Sequence, residues 1–443
     1  MNRNRKAYRK FFAVLLAAAL IIMGTLAAKA DTTPKTDSTL SKATETEADP
    51  IPFQVGDVNH DGVIDSYDAL LTLRQSVGFE EINEEYLEYA DYDGDGNITS
   101  ADSLLTLRKS VGLTAAFLNC TNTITVNCGD RLNNSIFNAK IIPESENSGV
   151  TFTYTPAKTL SSDGSGKVLE TTNTGKIKAF YPGKSTVTVT ASNGMSATCT
   201  VIVEDNITHQ TITVGNNTLS VTKHMMLKND AYDETKDFTQ IKGVVVHSTA
   251  VPGAKADIWY RAWNKPNTDA AVHAFLDDEG VYQYLPLEQT AWHAGKPANT
   301  YYLDFEICEP SGFRYSNNKI TDYDVEEQQE YFDKIWKNAT VYTAYLCNTY
   351  GLTADDVISH AEAGALGIGT NHGDPDHWFI LHEKTMDDFR KDVKSLLRSS
   401  NISITQPQII KDIPQSSGSD FFAENPDLTP FDMFKVWGFE SLK

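Results

Sequence analysis

The pattern of apolar and polar residues divides the chain into regions of different character. Residues 243–249, Gly-Val-Val-Val-His-Ser-Thr, form a continuous apolar run, which predicts a strand buried on both faces. Residues 303–309, Leu-Asp-Phe-Glu-Ile-Cys-Glu, alternate apolar and acidic residues, as in a strand that lines a cleft. Helical stretches such as 326–350 separate the apolar strands. We therefore predict an α/β domain, with a mixed sheet flanked by helices, over residues 206–399.

Residues 118–205 have a different pattern. Thr, Val, Ile, Asn and Ser dominate, and turn-forming residues recur, as in Lys-Ser-Thr-Val-Thr-Val-Thr-Ala-Ser-Asn-Gly at 184–194. Short strands separated by turns predict a β-sandwich, which we place at residues 115–205. The segment Thr-Gly-Lys-Ile-Lys-Ala-Phe-Tyr-Pro-Gly (174–183) resembles a bacterial immunoglobulin-like repeat. The resemblance implies a spacer, with carbohydrate or wall binding as the alternative.

Three residues at the ends of apolar segments are candidate metal ligands. His247 ends the first buried strand, His360 ends the run Asp-Asp-Val-Ile-Ser-His, and Asp374 lies in Asn-His-Gly-Asp-Pro. Two imidazoles and one carboxylate suit zinc, and a set of three leaves a coordination position open for water. Glu306 alternates with apolar residues and should project into the cleft. Zinc acidifies a water and polarises a carbonyl while a carboxylate moves the proton, so these residues could hydrolyse an amide.

Spacing alone does not establish this site, because His247 and His360 are over a hundred residues apart and each could equally be a core or surface histidine. Six segments in order, however, resemble the zinc-dependent N-acetylmuramoyl-L-alanine amidases related to phage lysins and peptidoglycan recognition proteins. The resemblance covers residues 241–379 and implies that His247, His360 and Asp374 bind one zinc ion and that Glu306 is the catalytic carboxylate. The segments are Val-Val-Val-His-Ser-Thr (244–249), Ala-Val-His-Ala-Phe-Leu-Asp-Asp-Glu-Gly (271–280), Ala-Trp-His-Ala-Gly (291–295), Asp-Phe-Glu-Ile (304–307), Ser-His-Ala-Glu (359–362) and His-Gly-Asp-Pro (372–375).

One position departs from the pattern of that family. Many members have a lysine two residues before the third ligand, where it is assigned to oxyanion stabilisation, whereas this chain has His372, as a subset of lysin-like members does. We predict that His372 polarises the scissile carbonyl. Activity should then be more pH-sensitive than with lysine, because an imidazole is charged only below about pH 6.5 unless its pKa is shifted. The alternative is a loop histidine that is merely adjacent to the site.

Two further histidines fall on positions of the family. The resemblance places His273 in a strand beside the site and His293 in a loop at the substrate groove. We predict that they contact substrate or orient a ligand, and that neither binds the metal.

Three other residues have roles that the sequence leaves open or secondary. Glu362 could orient a ligand, because a metal-bound imidazole usually donates its other N–H to an acceptor, or it could be a surface residue. His377 is the main competitor of Asp374 as third ligand and ranks below it. Cys308 lies close to Glu306, and we predict a structural role for it because the zinc site already supplies the chemistry.

An internal repeat precedes the β-rich sequence. Asp-Val-Asn-His-Asp-Gly-Val-Ile-Asp-Ser-Tyr-Asp (57–68) aligns with Asp-Tyr-Asp-Gly-Asp-Gly-Asn-Ile-Thr-Ser-Ala-Asp (91–102), and each continues into nearly the same helix. Oxygen ligands at loop positions 1, 3, 5 and 12, with glycine at position 6, are what a calcium loop requires. Position 12 is Asp instead of Glu, and no EF-type helix precedes the first loop. The alternative is a pair of acidic turns.

Two such halves, 34 residues apart, resemble a dockerin, the module that attaches a secreted enzyme to a cohesin domain of a scaffold protein. The resemblance covers residues 54–113, and we assign residues 54–114 to an all-α, calcium-binding dockerin. It implies two calcium ions and a cohesin partner. The predicted side-chain ligands are Asp57, Asn59, Asp61, Asp65, Asp68, Asp91, Asp93, Asp95, Thr99 and Asp102.

The two ends of the chain lie outside these domains. Residues 1–30 have basic residues, an apolar core and an Ala28-Lys29-Ala30 cleavage site, which predicts a secretory signal peptide, with an uncleaved anchor as the alternative. Residues 31–53 predict a flexible linker. No later stretch is long and apolar enough to span a membrane. Residues 400–443 are expected to form a linker and a tail that docks at an unassigned place.

The net charge restricts the partners. It is −21, and loss of the signal peptide, with six Lys and Arg residues and no acid, would take it to about −27. A protein this acidic is not expected to bind nucleic acid. Anionic wall polymers should repel it, so attachment to a surface should depend on a specific module.

Together these patterns predict a secreted zinc amidase. It would cleave the bond between the lactyl group of N-acetylmuramic acid and L-alanine in peptidoglycan, and a dockerin would attach it to a scaffold. The alternatives are an amidase or endopeptidase of the same fold that acts on another bond, and an inactive peptidoglycan-binding recognition module.

Overall fold

The computed structural model describes residues 54–79, 82–94, 96–113, 116–142, 147–161, 163–317, 319–399, 401–411 and 421–432. The predicted signal peptide (1–30) and linker (31–53), together with Asp95, lie outside the described residues. Within the described part of the chain, no helix has the length and apolar character that a bilayer span requires.

The internal repeat forms a pair of packed helices. These are α1 (Ser66–Ser76) and α3 (Ser100–Ser110), with the short α2 (Leu87–Ala90) between them. Asp65 and Thr99 cap α1 and α3, and in each helix the aspartate three residues later closes a capping box. The hydroxyl of Ser103 donates to the carbonyl of Ala69 at 2.6 Å, which joins α3 to α1.

The described residues between 117 and 204, which we call the β-rich region, form three small sheets around one core. The four-stranded sheet has the order β2-β9-β8-β5, the three-stranded sheet β3-β7-β6, and β1 pairs with β4. Alternate residues of β8 and β9, such as Val187, Val189 and Val201, face the shared core. The strands are β1 (Phe117–Asn119), β2 (Thr123–Asn127), β3 (Arg131–Leu132), β4 (Lys140–Ile142), β5 (Phe152–Pro156), β6 (Leu169–Thr171), β7 (Ile177–Ala179), β8 (Gly183–Ala191) and β9 (Ser196–Glu204).

The next strands build one mixed sheet in the order β18-β12-β15-β13-β14-β11-β10-β19, with β20 also pairing with β10. We call this sheet and its helices the α/β domain, and it confirms the predicted α/β class with a mixed sheet. Its strands are β10 (Ile207–Val214), β11 (Asn217–Lys223), β12 (Gly243–Ser248), β13 (Ala274–Leu276), β14 (Val281–Gln283), β15 (Tyr302–Ile307), β18 (Val357–Ser359), β19 (Ile402–Ile404) and β20 (Gln408–Ile410), and β16 (Arg314–Ser316) and β17 (Lys319–Thr321) form a separate hairpin.

Helices cover the sheet of the α/β domain. The longest, α7, packs Phe332, Ile335 and Ala339 into the same core as β12 and β15. The helices are α4 (Asp230–Glu234), α5 (Ala256–Trp263), α6 (Ala298–Tyr301), α7 (Val325–Tyr350), α8 (His360–Ala365), α9 (Asp376–Phe379), α10 (Met386–Leu396) and α11 (Phe421–Glu424).

Strand β12 occupies an interior position of the sheet. It is parallel to both neighbours, β15 and β18, and all six of its residues are buried, which accounts for its unbroken apolar sequence. At its start, a Cβ on Gly243 would collide with the carbonyl oxygen of Asp356, so only glycine permits this close approach.

The segment after residue 399, expected to be a linker and tail, contributes to the α/β domain through its described residues. Strands β19 and β20 pair antiparallel with β10 and cover its outer edge. Further on, the indole N–H of Trp263 donates to the carbonyl of Pro430 at 3.0 Å, and Phe431 stacks on the same indole.

The β-rich region packs directly against the α/β domain. Its core extends to Tyr232 and Trp292 of the α/β domain, and the hydroxyl of Tyr232 donates to the carbonyl of Phe180 at 2.7 Å. The side chain of Arg131, only 10% exposed, donates to Gln289 Oε1 at 3.2 Å and lies 3.5 Å from the carboxylate of Asp237. The expected spacer is therefore attached to its neighbour by an apolar core and buried polar contacts.

This interface generates a stability prediction. Arg131→Met should lower the free energy of unfolding by about 1–3 kcal/mol, because it leaves the buried Oε1 of Gln289 without this donor. The matched control is Arg314→Met, since that arginine is 81% exposed in its pair with Asp322 and should contribute well under about 1 kcal/mol. Urea unfolding of both variants measures the difference, and equal midpoints would contradict the interface.

Candidate active site and metal centre

Three of the predicted residues meet at the carboxyl edge of parallel strands. His247 of β12 and Glu306 of β15 are register partners, so both side chains lie on the same face of the sheet. Ser359 of β18 pairs with Val246, and His360 follows it as the first residue of α8. A capping box at Ser359 fixes the point at which the strand ends and the helix begins.

Asp374 completes the cluster from the loop before α9. Its Oδ2 lies 3.3 Å from Nδ1 of His247, and its Oδ1 lies 3.5 Å from Nδ1 of His360. Burial alone would raise the pKa of Asp374, but His360 and His247 hold it well below its usual range, so the carboxylate is ionised. The backbone N–H of Ser248 also donates to Oδ2 at 3.3 Å.

These three residues fit a zinc ion. Ligand atoms at about 2.0–2.1 Å from a tetrahedral ion lie about 3.3 Å apart, close to the separations from Asp374 to the two histidines. Nδ1 of His360 and Oδ1 of Asp374 are buried and make no hydrogen bond. A bound cation would compensate both atoms, which are otherwise costly to bury.

Thr370 orients His360, which is the role that the sequence analysis considered for Glu362. Nε2 of His360 lies 2.8 Å from Oγ1 of Thr370, whose own proton faces the carbonyl of Ala294 at 3.4 Å. Thr370 therefore accepts from Nε2–H, and Nδ1 keeps its lone pair for a metal. The carboxylate of Glu362 instead closes the cap of α8 and pairs with Arg390 at 2.8 and 3.0 Å.

His293 contacts His247 in the way that Thr370 contacts His360. Nε2 of His247 lies 3.0 Å from Nδ1 of His293, whose Nε2 faces the carboxylate of Asp304 at 3.9 Å. Burial lowers the pKa of His293 to about 3, so its ring is neutral and can accept from Nε2–H of His247. His247, His293 and Asp304 are also close enough to hold a metal, but the contact of 3.0 Å is already a hydrogen bond.

His273 balances the charge of Asp304 on the far side. Its Nδ1 is hydrogen-bonded to that carboxylate, and its Nε2 lies 2.6 Å from the carbonyl of Gln289. Both partners only accept, so both nitrogens donate and the ring is an imidazolium. Burial would lower the pKa of His273, but Asp304 raises it above its usual value.

The predicted substrate-contact role of His273 and His293 does not match their position. Both are 0% exposed, so they cannot line an open groove. His293 contacts His247 directly, and His273 is connected to it through Asp304 and His293, so both can orient His247. The sequence motif locates these two histidines in the chain but does not predict their exposure to solvent. Asp304, which sequence reasoning missed, was detectable, because alternation along β15 puts it on the same face as Glu306.

Glu306 and His372 have contrasting electrostatics. Burial, followed by the charges of Asp374, Asp304 and Glu309, raises the pKa of Glu306 well above its usual range, and its Oε2 makes no hydrogen bond. Burial lowers the pKa of His372 to about 3, so its ring is neutral at physiological pH. The structure therefore gives no support to pH sensitivity through a charged His372, although a neutral ring can still donate a hydrogen bond.

His377 and Cys308 are occupied elsewhere. Nε2 of His377 lies 2.6 Å from the hydroxyl of Tyr315, which donates to the carboxylate of Glu309. This arrangement ties the loop of Asp374 to the end of β15 and does not place His377 among the ligands. Burial raises the pKa of the Cys308 thiol well above its usual value, consistent with the predicted structural role.

The loops of the helical repeat gather oxygen atoms. Carboxylate oxygens of Asp91, Asp93 and Asp102 lie within 4.8 Å of one another. In the first loop, Oδ2 of Asp57 accepts from the N–H of Gly62 at 3.0 Å, while its Oδ1 is buried without a hydrogen bond.

The other predicted calcium ligands hold the loops and helices in shape. Asn59 and Asp61 are hydrogen-bonded to each other at 2.9 Å. The remaining described ones belong to the two capping boxes, and these are Asp65, Asp68 and Thr99. The predicted ligand Asp95 lies outside the described residues.

Comparison with known proteins agrees with this division. Residues 237–377 match the family model described as N-acetylmuramoyl-L-alanine amidase, and residues 55–109 match the one described as dockerin type I domain. The chain therefore contains an amidase domain of that family and a dockerin type I domain.

The similar proteins share only part of their length with the chain. A probable N-acetylmuramoyl-L-alanine amidase of Bacillus licheniformis is 30% identical over 180 residues, which are 37% of this chain and 44% of the relative. The protein Ami of Listeria monocytogenes is 26% identical over 172 residues, 37% of this chain and 17% of the relative. The chain thus spans less than half of these relatives. The crystal structure of the Staphylococcus aureus hydrolase AmiA in complex with its ligand aligns with 38% of this chain and with 82% of that chain, at 20% identity and a TM-score of 0.32.

The orientation of His360 by Thr370 is testable. Thr370→Val keeps the shape of the side chain but removes the acceptor, so zinc affinity should fall about 10- to 100-fold. Competition with a chromophoric chelator measures it. Thr349→Val is the control, because that exposed hydroxyl donates to the carbonyl of Tyr345 in its own helix. If both variants bound zinc like the parent, the assigned role of Thr370 would be wrong.

Proposed function

We propose that the chain is a secreted, zinc-dependent peptidoglycan amidase that cleaves between the lactyl group of N-acetylmuramic acid and L-alanine. The observation that carries the proposal is the convergence of His247, His360 and Asp374, with Glu306 as the strand neighbour of His247. This cluster lies within the residues that match the amidase family. The names of the relatives support the choice of bond.

Each residue has a distinct part in the proposed chemistry. One zinc ion, held by His247, His360 and Asp374, would acidify a water and polarise the substrate carbonyl. Glu306 takes a proton from the attacking water and returns one to the leaving amine, and its raised pKa suits it to hold that proton between the two steps. The neutral His372 donates a hydrogen bond to the carbonyl oxygen as negative charge develops there.

The proposed setting follows from the other regions. The dockerin domain would attach the enzyme to a cohesin on a scaffold protein, and the predicted signal peptide would direct it out of the cell. We assign the β-rich region to a bacterial immunoglobulin-like module, on its small sheets around one core and the sequence at 174–183.

Digestion of purified peptidoglycan tests the activity. The parent should release stem peptides that begin at L-alanine, identified by mass analysis, and a zinc chelator should abolish the release until zinc is restored. Glu306→Gln should reduce the rate about 10²- to 10⁴-fold, because it removes the proton acceptor.

The control and the other outcomes separate the alternatives. Glu330→Gln should retain the parent rate, since that glutamate lies on an exposed face of α7, where it pairs with Lys334. Fragments cut inside the peptide would indicate an endopeptidase, and bound but uncut wall would indicate a recognition module. A Glu306→Gln variant as fast as the parent would refute the mechanism.

The repeated loops give a calcium prediction. Calorimetric titration of the intact chain should show two calcium ions, and Asp57→Ala or Asp91→Ala should each remove one, because both aspartates hold position 1 of a loop. Asp163→Ala is the control, since that aspartate makes a similar turn with Ser165 in the β-rich region. An unchanged stoichiometry in the two loop variants would exclude these loops as the sites.

A further inference from the structure

The β-rich region carries a groove that the proposed catalysis does not use. It has a volume of about 670 Å³ and is lined by residues of 156–160, 167–172 and 176–178. Four of the lining residues are lysines and one is an acid, although the whole chain has 59 acidic and 38 basic residues. The lysines are Lys158, Lys167, Lys176 and Lys178. The groove is therefore a local reversal of the charge of the protein.

Backbone pairing gives the groove a fixed shape. A bridge between Leu160 and Lys167, with a hydrogen bond of 2.7 Å from the N–H of Ser161 to Gly166, closes the hairpin at one wall. The other wall is the β6–β7 pair, whose turn is closed by the N–H of Lys176 donating to Oγ1 of Thr172 at 3.0 Å. The lysines thus project from hydrogen-bonded strands and turns.

The positive charge of the groove is only partly neutralised. Lys167 pairs with Glu170 at 2.5 Å and lies over the ring of Phe180, and Lys178 pairs with Asp237 at 2.6 Å. Lys158 and Lys176 are exposed, and the described residues provide no ion-pair partner for either.

The floor between the lysines is largely apolar. Pro156 and Ala157 contribute to it, and the side chain of Leu160 is 70% exposed. A ligand that matches this surface needs an uncharged backbone for the floor and repeated negative groups for Lys158 and Lys176.

We propose that this groove binds an anionic wall polymer whose phosphodiester or carboxylate groups repeat along a polyol or sugar backbone. The net charge of −21 repels such a polymer elsewhere, so the lysine groove gives it a defined place and orientation on the protein. The site acts in binding alone and contains none of the residues proposed for catalysis. Only the choice of a wall polymer, in place of another polyanion, rests on the proposed function.

Co-sedimentation with purified Gram-positive cell walls tests the proposal. The full chain carries Glu306→Gln, so that the walls stay intact, and the bound fraction is measured against wall concentration. Lys158→Glu combined with Lys176→Glu should weaken binding at least about tenfold, since each basic residue near an anionic surface contributes about 1 kcal/mol. The control combines Lys391→Glu with Lys394→Glu, which are exposed on α10 and change the net charge equally.

The outcomes are distinct. Walls stripped of phosphodiester polymers by acid identify the anion: lost binding indicates phosphodiesters, and retained binding that still depends on the groove indicates carboxylates. Equal weakening by both double variants would mean that wall binding depends only on net charge, and this would overturn the proposed site. Two other results would also overturn it: unchanged binding by the groove variant, or no wall binding by the parent chain. With Glu306 restored, the groove variant should cleave soluble muropeptides at the parental rate, so a failed groove and a failed amidase give different results.

Discussion

The parallel register of β12 with β15 is the constraint on which the proposed catalytic centre depends. It pairs His247 with Glu306 and Val245 with Asp304, so one proposed ligand and two carboxylates share a face of the sheet. A slip of one residue would exchange these side chains for apolar ones on every strand involved. The register is secured by the burial of β12 between two parallel neighbours and by the close approach that Gly243 permits.

The buried charged residues at this edge of the sheet differ in how their charges are compensated. Asp304 is balanced by His273, and its other neighbour, His293, is held neutral by burial. Asp374 is balanced by the histidines that face it, whereas burial and the charges of Asp374, Asp304 and Glu309 raise the pKa of Glu306, so that it tends to keep a proton. In the proposed mechanism, proton exchange is therefore confined to one carboxylate, while the others act as a ligand or as support.

The sequence predicted the elements that rest on local pattern and on motif. The run at 243–249, the alternation at 303–309 and the six segments located His247, Glu306, His360 and Asp374, which the structure brings together. The role of Thr370 was not predicted, because a single hydroxyl residue in a loop produces no periodic pattern in the sequence. Strands β19 and β20 were not predicted, because each has only three residues and is defined by its pairing with β10. The contact between Gln210 of β10 and Thr405, which follows β19, joins residues 195 positions apart in the chain. The packing of Arg131 against Gln289 depends likewise on tertiary contact alone.

The distant partners of β10 have a consequence for the order in which the protein forms. The β-rich region and β10 are made early, but the outer edge of β10 stays bare until residues 402–410 are available. Pairing over such a sequence separation is slow, because loop-closure entropy opposes it before any contact compensates. The sheet that carries the proposed catalytic residues is therefore completed only when its last strands pair with β10.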